Sequence, residues 1–74
     1  MKKSEISFDK FTANFYKEIL PNKHPDIRRG QCLMNYLAKM WFEEYQRITM
    51  DPEIDCFYND KLIPNTLNHL GKVW

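Results

Sequence analysis

Apolar residues recur at intervals of three and four along three stretches of the chain, which is the spacing of one face of an α-helix. The first stretch covers residues 8–20. Its apolar positions are Phe8, Phe11, Phe15 and Ile19. Ser7 is a suitable N-cap for this helix, and Pro21 is expected to end it because proline cannot continue the backbone hydrogen bonds.

The second stretch begins either at Asp26, a suitable N-cap, or nearer Gly30, since glycine inside a helix costs about 1 kcal/mol relative to alanine. Its apolar positions are Leu33, Met34, Leu37, Met40, Trp41, Tyr45 and Ile48. Trp41, Phe42 and Tyr45 cannot all share one narrow stripe. We therefore favour two helices that meet at a bend near Trp41 and Phe42 over one unbroken helix.

The third stretch follows a segment, residues 49–60, that contains the turn-forming pairs Asp-Pro and Asn-Asp. We expect this segment to be an ordered loop held in place by Phe57. The last helix then begins at Asp60 or just after it, with Pro64 tolerated in its first turn. Its apolar positions are Ile63, Leu67, Leu70 and Trp74.

No segment shows the alternation typical of a strand, and no internal repeat is present. The pattern predicts one all-α domain over residues 1–74, a compact three- to four-helix orthogonal cluster with an ordered aromatic and acidic loop before the last helix. It leaves open whether residues 1–7 are ordered. A chain of 74 residues buries only about 60% of the surface of its unfolded form, so binding a partner can add to its stability.

Charge gives no general attraction to nucleic acid or to an anionic membrane, because the net charge is only +1. Its distribution is uneven, with a basic excess in residues 1–30 and an acidic excess in residues 43–60. This two-sided pattern suits a polar contact with another protein. No apolar run approaches the roughly 20 residues of a membrane span, and no apolar segment follows the basic start as in a secretory signal.

Metal and cofactor sites are not indicated by the sequence. Asp51, Glu53 and Asp55 alternate as in a calcium loop, but Cys56 stands where such a loop needs glycine and Leu62 where it needs glutamate. We expect a solvated turn, no bound metal and no cofactor.

The two cysteines and two histidines are scattered singly, without the spacing of a zinc site. They are Cys32, Cys56, His24 and His69. Two isolated cysteines favour free, buried thiols in a reducing cytoplasm. A cysteine–histidine nucleophile pair stays open on sequence grounds, yet nothing indicates an activating environment, and we expect no enzymatic activity.

Three short motifs occur in order: Arg-x-Gly-Gln-x-Leu-x-Asn-x-Leu at residues 28–37, Asp-Cys-Phe-Tyr-x-Asp at 55–60, and Ile-Pro at 63–64. This combination resembles a loose group of small proteins common in tailed-phage and prophage genomes. The resemblance covers residues 27–74 and implies a mobile-element origin and a bacterial cytoplasm as the setting. It implies no catalytic residues. Proline is common in that group at the position of Phe42, which implies a bend there.

The basic start of the second helix has two interpretations. Arg28, Arg29 and Gln31 lie where a helix end attracts anions, so they are candidates for contact with a phosphate or an acidic partner. Alternatively, Arg29 or Gln31 ties this helix internally to the loop that ends at Asp60, because arginine forks suit carboxylates. We favour the internal contact.

The aromatic residues exceed what one small core comfortably hides, so one or two are candidates for an exposed anchor patch. The candidates are Phe42, Tyr45, Tyr58 and Trp74. The leading hypothesis is a small interaction protein that binds, and in one version inhibits, a bacterial or phage protein. The alternatives are a structural homodimer and a nucleic-acid-binding module that contacts phosphates through Lys17, Lys23, Arg28 and Arg29.

Overall fold

The elements of the fold are known for residues 6–74, which a computed structural model describes. Within that range the chain forms four α-helices and no strand. They are α1 (Phe8–Asn14), α2 (Arg29–Met40), α3 (Phe42–Thr49) and α4 (Ile63–Val73). The predicted all-α cluster is confirmed, and its Cα radius of gyration of 11.2 Å is close to the roughly 11 Å expected of a compact domain of this length.

The first helix begins as predicted, because the backbone N–H of Lys10 donates to Ser7 Oγ at 3.1 Å. Beyond Asn14 the hydrogen-bond pattern changes to that of a π-helix, Phe15–Ile19, in which the N–H of Leu20 reaches back five residues to Phe15 O at 2.8 Å. The sequence pattern did not predict this wider turn. The sequence left open whether residues 1–7 are ordered. Residues 1–5 lie outside the described part of the chain.

An aromatic cluster joins the two ends of the chain to α2. Phe11 is fully buried and stacks on Tyr36 of α2, with ring centroids 4.6 Å apart and an interplanar angle of 11°. On its other side Phe11 lies 4.8 Å from the ring of Trp74, which also contacts Phe8 and Trp41. Phe11 and Tyr36 belong to the buried core, together with Leu33 and other apolar side chains of α2, and the remaining rings pack against it.

The second stretch starts late and is broken, as the glycine and the aromatic residues suggested. Of the two starts considered, the one near Gly30 is confirmed and the one capped by Asp26 is not: α2 begins at Arg29, and Arg28 is its extended N-cap residue. Trp41 ends α2 and precedes α3, with φ −155° and ψ 79°, so the predicted bend is confirmed. This geometry directs the Trp41 ring against Trp74, in a T-shaped contact at 5.7 Å, and leaves Phe42 exposed.

The loop between α3 and α4 is anchored by a more deeply buried residue than the predicted Phe57. Cys56 is fully buried, whereas Phe57 is only half-buried, so the cysteine is the main anchor. A single 3₁₀ turn, Asp60–Leu62, leads from the loop into α4. The buried Thr66 of α4 donates its hydroxyl to the carbonyl of Ile54, which fixes the loop against that helix.

The contact at Gly30 brings the loop against α2. A Cβ atom at this position would lie 1.8 Å from Cys56 O and 2.9 Å from Cys56 C, so only glycine leaves room for the loop backbone. Its φ is negative, and the need for glycine therefore comes from the close approach alone. The N–H of Gly30 donates to Asp60 Oδ1 at 2.9 Å, and the Cys56 thiol faces Gly30 O at 3.5 Å.

We expect Gly30→Ala to lower the free energy of unfolding by about 3 kcal/mol, because the loop backbone must move away from α2. This loss exceeds the gain of about 1 kcal/mol in helix propensity. Urea denaturation measures it. Gly71→Ala is the matched control, since its Cβ would meet only the Phe8 side chain, at 3.3 Å. Equal stability changes in the two variants would contradict the assigned role of Gly30.

Candidate interaction surface

Four aromatic side chains from α3 and the following loop form one surface, which we call the aromatic surface: Phe42, Tyr45, Phe57 and Tyr58. Phe42 and Tyr45 are three residues apart on α3, and their rings stack at 5.8 Å. Phe57 and Tyr58 meet edge to face at 4.8 Å. Phe42 is 56% and Tyr58 76% exposed, which is high for such large apolar rings.

A shallow depression of about 240 Å³ lies between Tyr45 and the pair formed by Phe57 and Tyr58. It is lined by Tyr45, Thr49, Asp55, Phe57 and Tyr58. Asp55 is held at this position by a hydrogen bond in which its Oδ1 accepts the N–H of Phe57 at 2.9 Å. The depression is therefore walled by tyrosine rings with one carboxylate at its edge, a combination suited to a protein side chain inserted from outside.

Arg28 extends the aromatic surface toward the start of α2. Its guanidinium carbon lies 5.8 Å from the centroid of the Tyr58 ring, a cation–π contact. Arg28 is exposed and makes no ion pair with a described carboxylate, so its N–H donors stay available at the rim. The sequence-predicted candidates Arg28, Phe42, Tyr45 and Tyr58 thus lie together.

The predicted contact between α2 and the loop exists, but other atoms make it. Asp60 accepts from the backbone N–H of Gly30 and so caps α2 in place of Arg28, whose side chain cannot accept. Arg29 is exposed and has no carboxylate partner within residues 6–74, and Gln31 is half-buried. Because a carboxylate already occupies the Gly30 N–H, this helix end is a poorer site for an external anion than the sequence suggested.

Trp74 does not belong to the aromatic surface. It is half-buried in the cluster with Phe8, Phe11 and Trp41, and its indole Nε1–H donates to Ile6 O at 3.0 Å. The periodicity of the last helix had also placed it toward the core, and that placement agrees with the structure.

The sequence pattern did not predict a cluster around the buried carboxylate of Glu44, between α3 and α4. Glu44 is only 1% exposed, and both of its carboxylate oxygens are used: Oε1 lies 2.6 Å from Arg47 Nη1, and Oε2 lies 2.6 Å from His69 Nε2. The signal was available in the spacing, since Glu44 stands four residues from both Met40 and Ile48 on the buried stripe. A carboxylate at such a position requires partners.

A carboxylate that orients an imidazole is one half of the arrangement that activates nucleophiles in hydrolases. The other half is not found here, because no described hydroxyl or thiol hydrogen-bonds to His69. Glu44 and His69 instead join α3 to α4, and we interpret the cluster as structural.

The two thiols are buried and pair with backbone carbonyls, Cys32 with Ile19 O at 3.9 Å and Cys56 with Gly30 O at 3.5 Å. Burial raises the pKa of both thiols above the ordinary value, and Lys23 partly opposes this at Cys32. Neither thiol has a histidine partner among the described hydrogen bonds. Both are therefore protonated and weakly nucleophilic near neutral pH.

The acidic series in the loop forms turns. Asp51 Oδ1 accepts the N–H of Glu53 at 3.1 Å, and Asp55 acts in the same way on Phe57. Across residues 6–74 no three metal-ligating side chains converge. Over the same residues no helix is both long enough and apolar enough to cross a bilayer.

Comparison of the chain with known protein families, curated proteins and solved structures finds no match.

We expect Glu44→Ala to lower the free energy of unfolding by about 2 to 3 kcal/mol, because it removes the buried group that both Arg47 and His69 contact. Glu43→Ala is the matched control, since Glu43 is the exposed neighbour on the same helix and should change stability by less than about 0.5 kcal/mol. Urea denaturation compares them. A Glu44 variant as stable as the Glu43 variant would show that the cluster contributes nothing.

The raised thiol pKa values predict slow alkylation of the folded chain by iodoacetamide. The reactive thiolate forms only as pH rises above the ordinary thiol pKa of about 8.5, so the rates should begin to climb at higher pH than in the unfolded chain. Peptide mass spectrometry should find Cys32 modified before the fully buried Cys56. Rapid modification of Cys56 at pH 7 in the folded chain would contradict the assigned environment.

Proposed function

We propose that the protein acts by binding another protein through the aromatic surface, without a catalytic step of its own. The observation that carries the proposal is the exposure of two rings, Tyr58, which lines the depression together with Tyr45, and Phe42, which stacks on Tyr45. Tyrosine and arginine are enriched among the residues that dominate interface energies, and Arg28 stands at the rim.

The aromatic surface is held in place before any partner binds, which favours affinity because little ordering is left to occur. Tyr45 is on α3, whose Glu44 is tied to α4. Tyr58 follows Cys56, whose backbone is locked against Gly30. Tyr45 and Tyr58, which line the depression, are therefore both held in place by buried contacts.

The resemblance to small tailed-phage proteins supports a bacterial or phage protein as the partner, in the bacterial cytoplasm. Binding through aromatic anchors with a charged rim would block the partner's own contact surface or recruit it elsewhere, and inhibition of a host protein is one form of this. Nucleic-acid binding by α2 in a groove is less compatible with the fold, because most of that helix is buried. The buried residues of α2 are Gly30, Cys32, Leu33, Met34, Tyr36, Leu37 and Met40.

A photo-crosslinking residue placed at Tyr58 and affinity capture from bacterial lysate test this proposal together. We expect one partner to be crosslinked and retained in stoichiometric yield, and Phe42→Ala with Tyr58→Ala to weaken its binding roughly 30-fold or more. Tyr16→Ala is the control. Tyr16 is also an exposed aromatic residue, at 49%, but it lies on the π-helix, outside the aromatic surface.

Three results would contradict the proposal. The first is a captured partner whose affinity is unchanged in the double variant. The second is sedimentation showing that a second copy of the chain is the only occupant of the surface. The third is a salt-sensitive mobility shift with nucleic acid that depends on Arg28 and Arg29.

A further inference from the structure

A second concave site lies away from the aromatic surface and shares no residue with it. It is a groove of about 420 Å³ between the π-helix, the connector that follows Pro21, and α2. Its apolar lining consists of Ile19, Ile27, Cys32, Tyr36 and Met40. This volume and mainly apolar lining are those of small-molecule sites rather than of flat protein interfaces.

The backbone builds this groove. In the π-helix each backbone hydrogen bond spans five residues instead of four, so the turn that carries Ile19 is wider than a regular α-helical turn. Ile19 O faces the Cys32 thiol at 3.9 Å, which marks where the π-helix and α2 come together. Helical turns of this kind recur at functional sites.

Two lysines and one glutamate stand at the rim: Lys23 on the connector, Lys39 on α2 and Glu18 on the π-helix. Neither lysine makes an ion pair with a carboxylate of residues 6–74. Burial raises the pKa of the Cys32 thiol, and the positive charge of Lys23 partly opposes this increase. Burial raises the pKa of Tyr36, an effect opposed by a hydrogen bond with Asn14 and increased by the negative charge of Glu18.

The rim thus carries a net charge of one positive unit above an apolar floor. A singly charged anion with an apolar body complements both features. We propose that this groove binds a small amphipathic carboxylate, whose apolar body covers Ile19, Ile27 and Met40 and whose carboxylate lies between Lys23 and Lys39.

Titration with octanoate, followed by two-dimensional NMR of the labelled full chain, tests the proposal. We expect saturable shifts confined to the groove and slower alkylation of Cys32, which the ligand covers. Octanol and octylammonium, with the same chain and a neutral or positive head, should bind less tightly. The variant Lys23→Gln with Lys39→Gln should weaken octanoate binding about fivefold and leave octanol binding unchanged.

Lys61→Gln with Lys72→Gln is the matched control, because these exposed lysines lie outside the groove. Octylammonium binding as tightly as octanoate, equal octanoate affinity in the two lysine variants, or no saturable shift at millimolar octanoate would each overturn the proposal. Shifts centred on the aromatic surface would overturn it as well. None of these outcomes bears on the binding of a protein partner, since the two sites share no residue.

Discussion

The structure depends on one backbone contact, in which the first turn of α2 meets the loop at Gly30 and Cys56. The absence of a side chain at Gly30 lets the Cys56 carbonyl approach to a distance that any Cβ would forbid. Asp60 then accepts a hydrogen bond from the backbone N–H of Gly30. The side chain of the N-cap residue, Arg28, cannot do this because it has no acceptor atom. This contact therefore fixes both where α2 begins and the path of the loop.

The aromatic surface is a consequence of that contact. Tyr58 comes two residues after Cys56, so fixing the cysteine places the tyrosine ring under Arg28 and opposite Tyr45. The buried pair of Glu44 and His69 fixes the other side, because it joins the helix that carries Tyr45 to α4. In a chain this small, few residues separate the core from the surface, and the interactions that hold the fold also shape what a partner would meet.

Much of this fold is readable from the sequence, and the exceptions have physical causes. The Ser7 cap and the bend at Trp41 followed from local chemistry and periodicity. The link between α2 and the loop was expected from arginine or glutamine side chains, but it is made by backbone atoms of Gly30, a close approach that no periodicity reports. The π-helix could not be predicted from the sequence either, since the spacing of its apolar residues is almost that of an α-helix. Glu44 was missed because a charged residue on a buried stripe depends on partners distant in sequence.

NMR of the labelled chain tests the contact at Gly30 most directly. The account predicts cross-peaks between the Gly30 α protons and the backbone protons of Cys56 and Phe57, together with a Gly30 amide that exchanges slowly with solvent because it donates to Asp60. Rapid exchange of that amide and no such cross-peaks, in a chain whose α2 is otherwise folded, would contradict it.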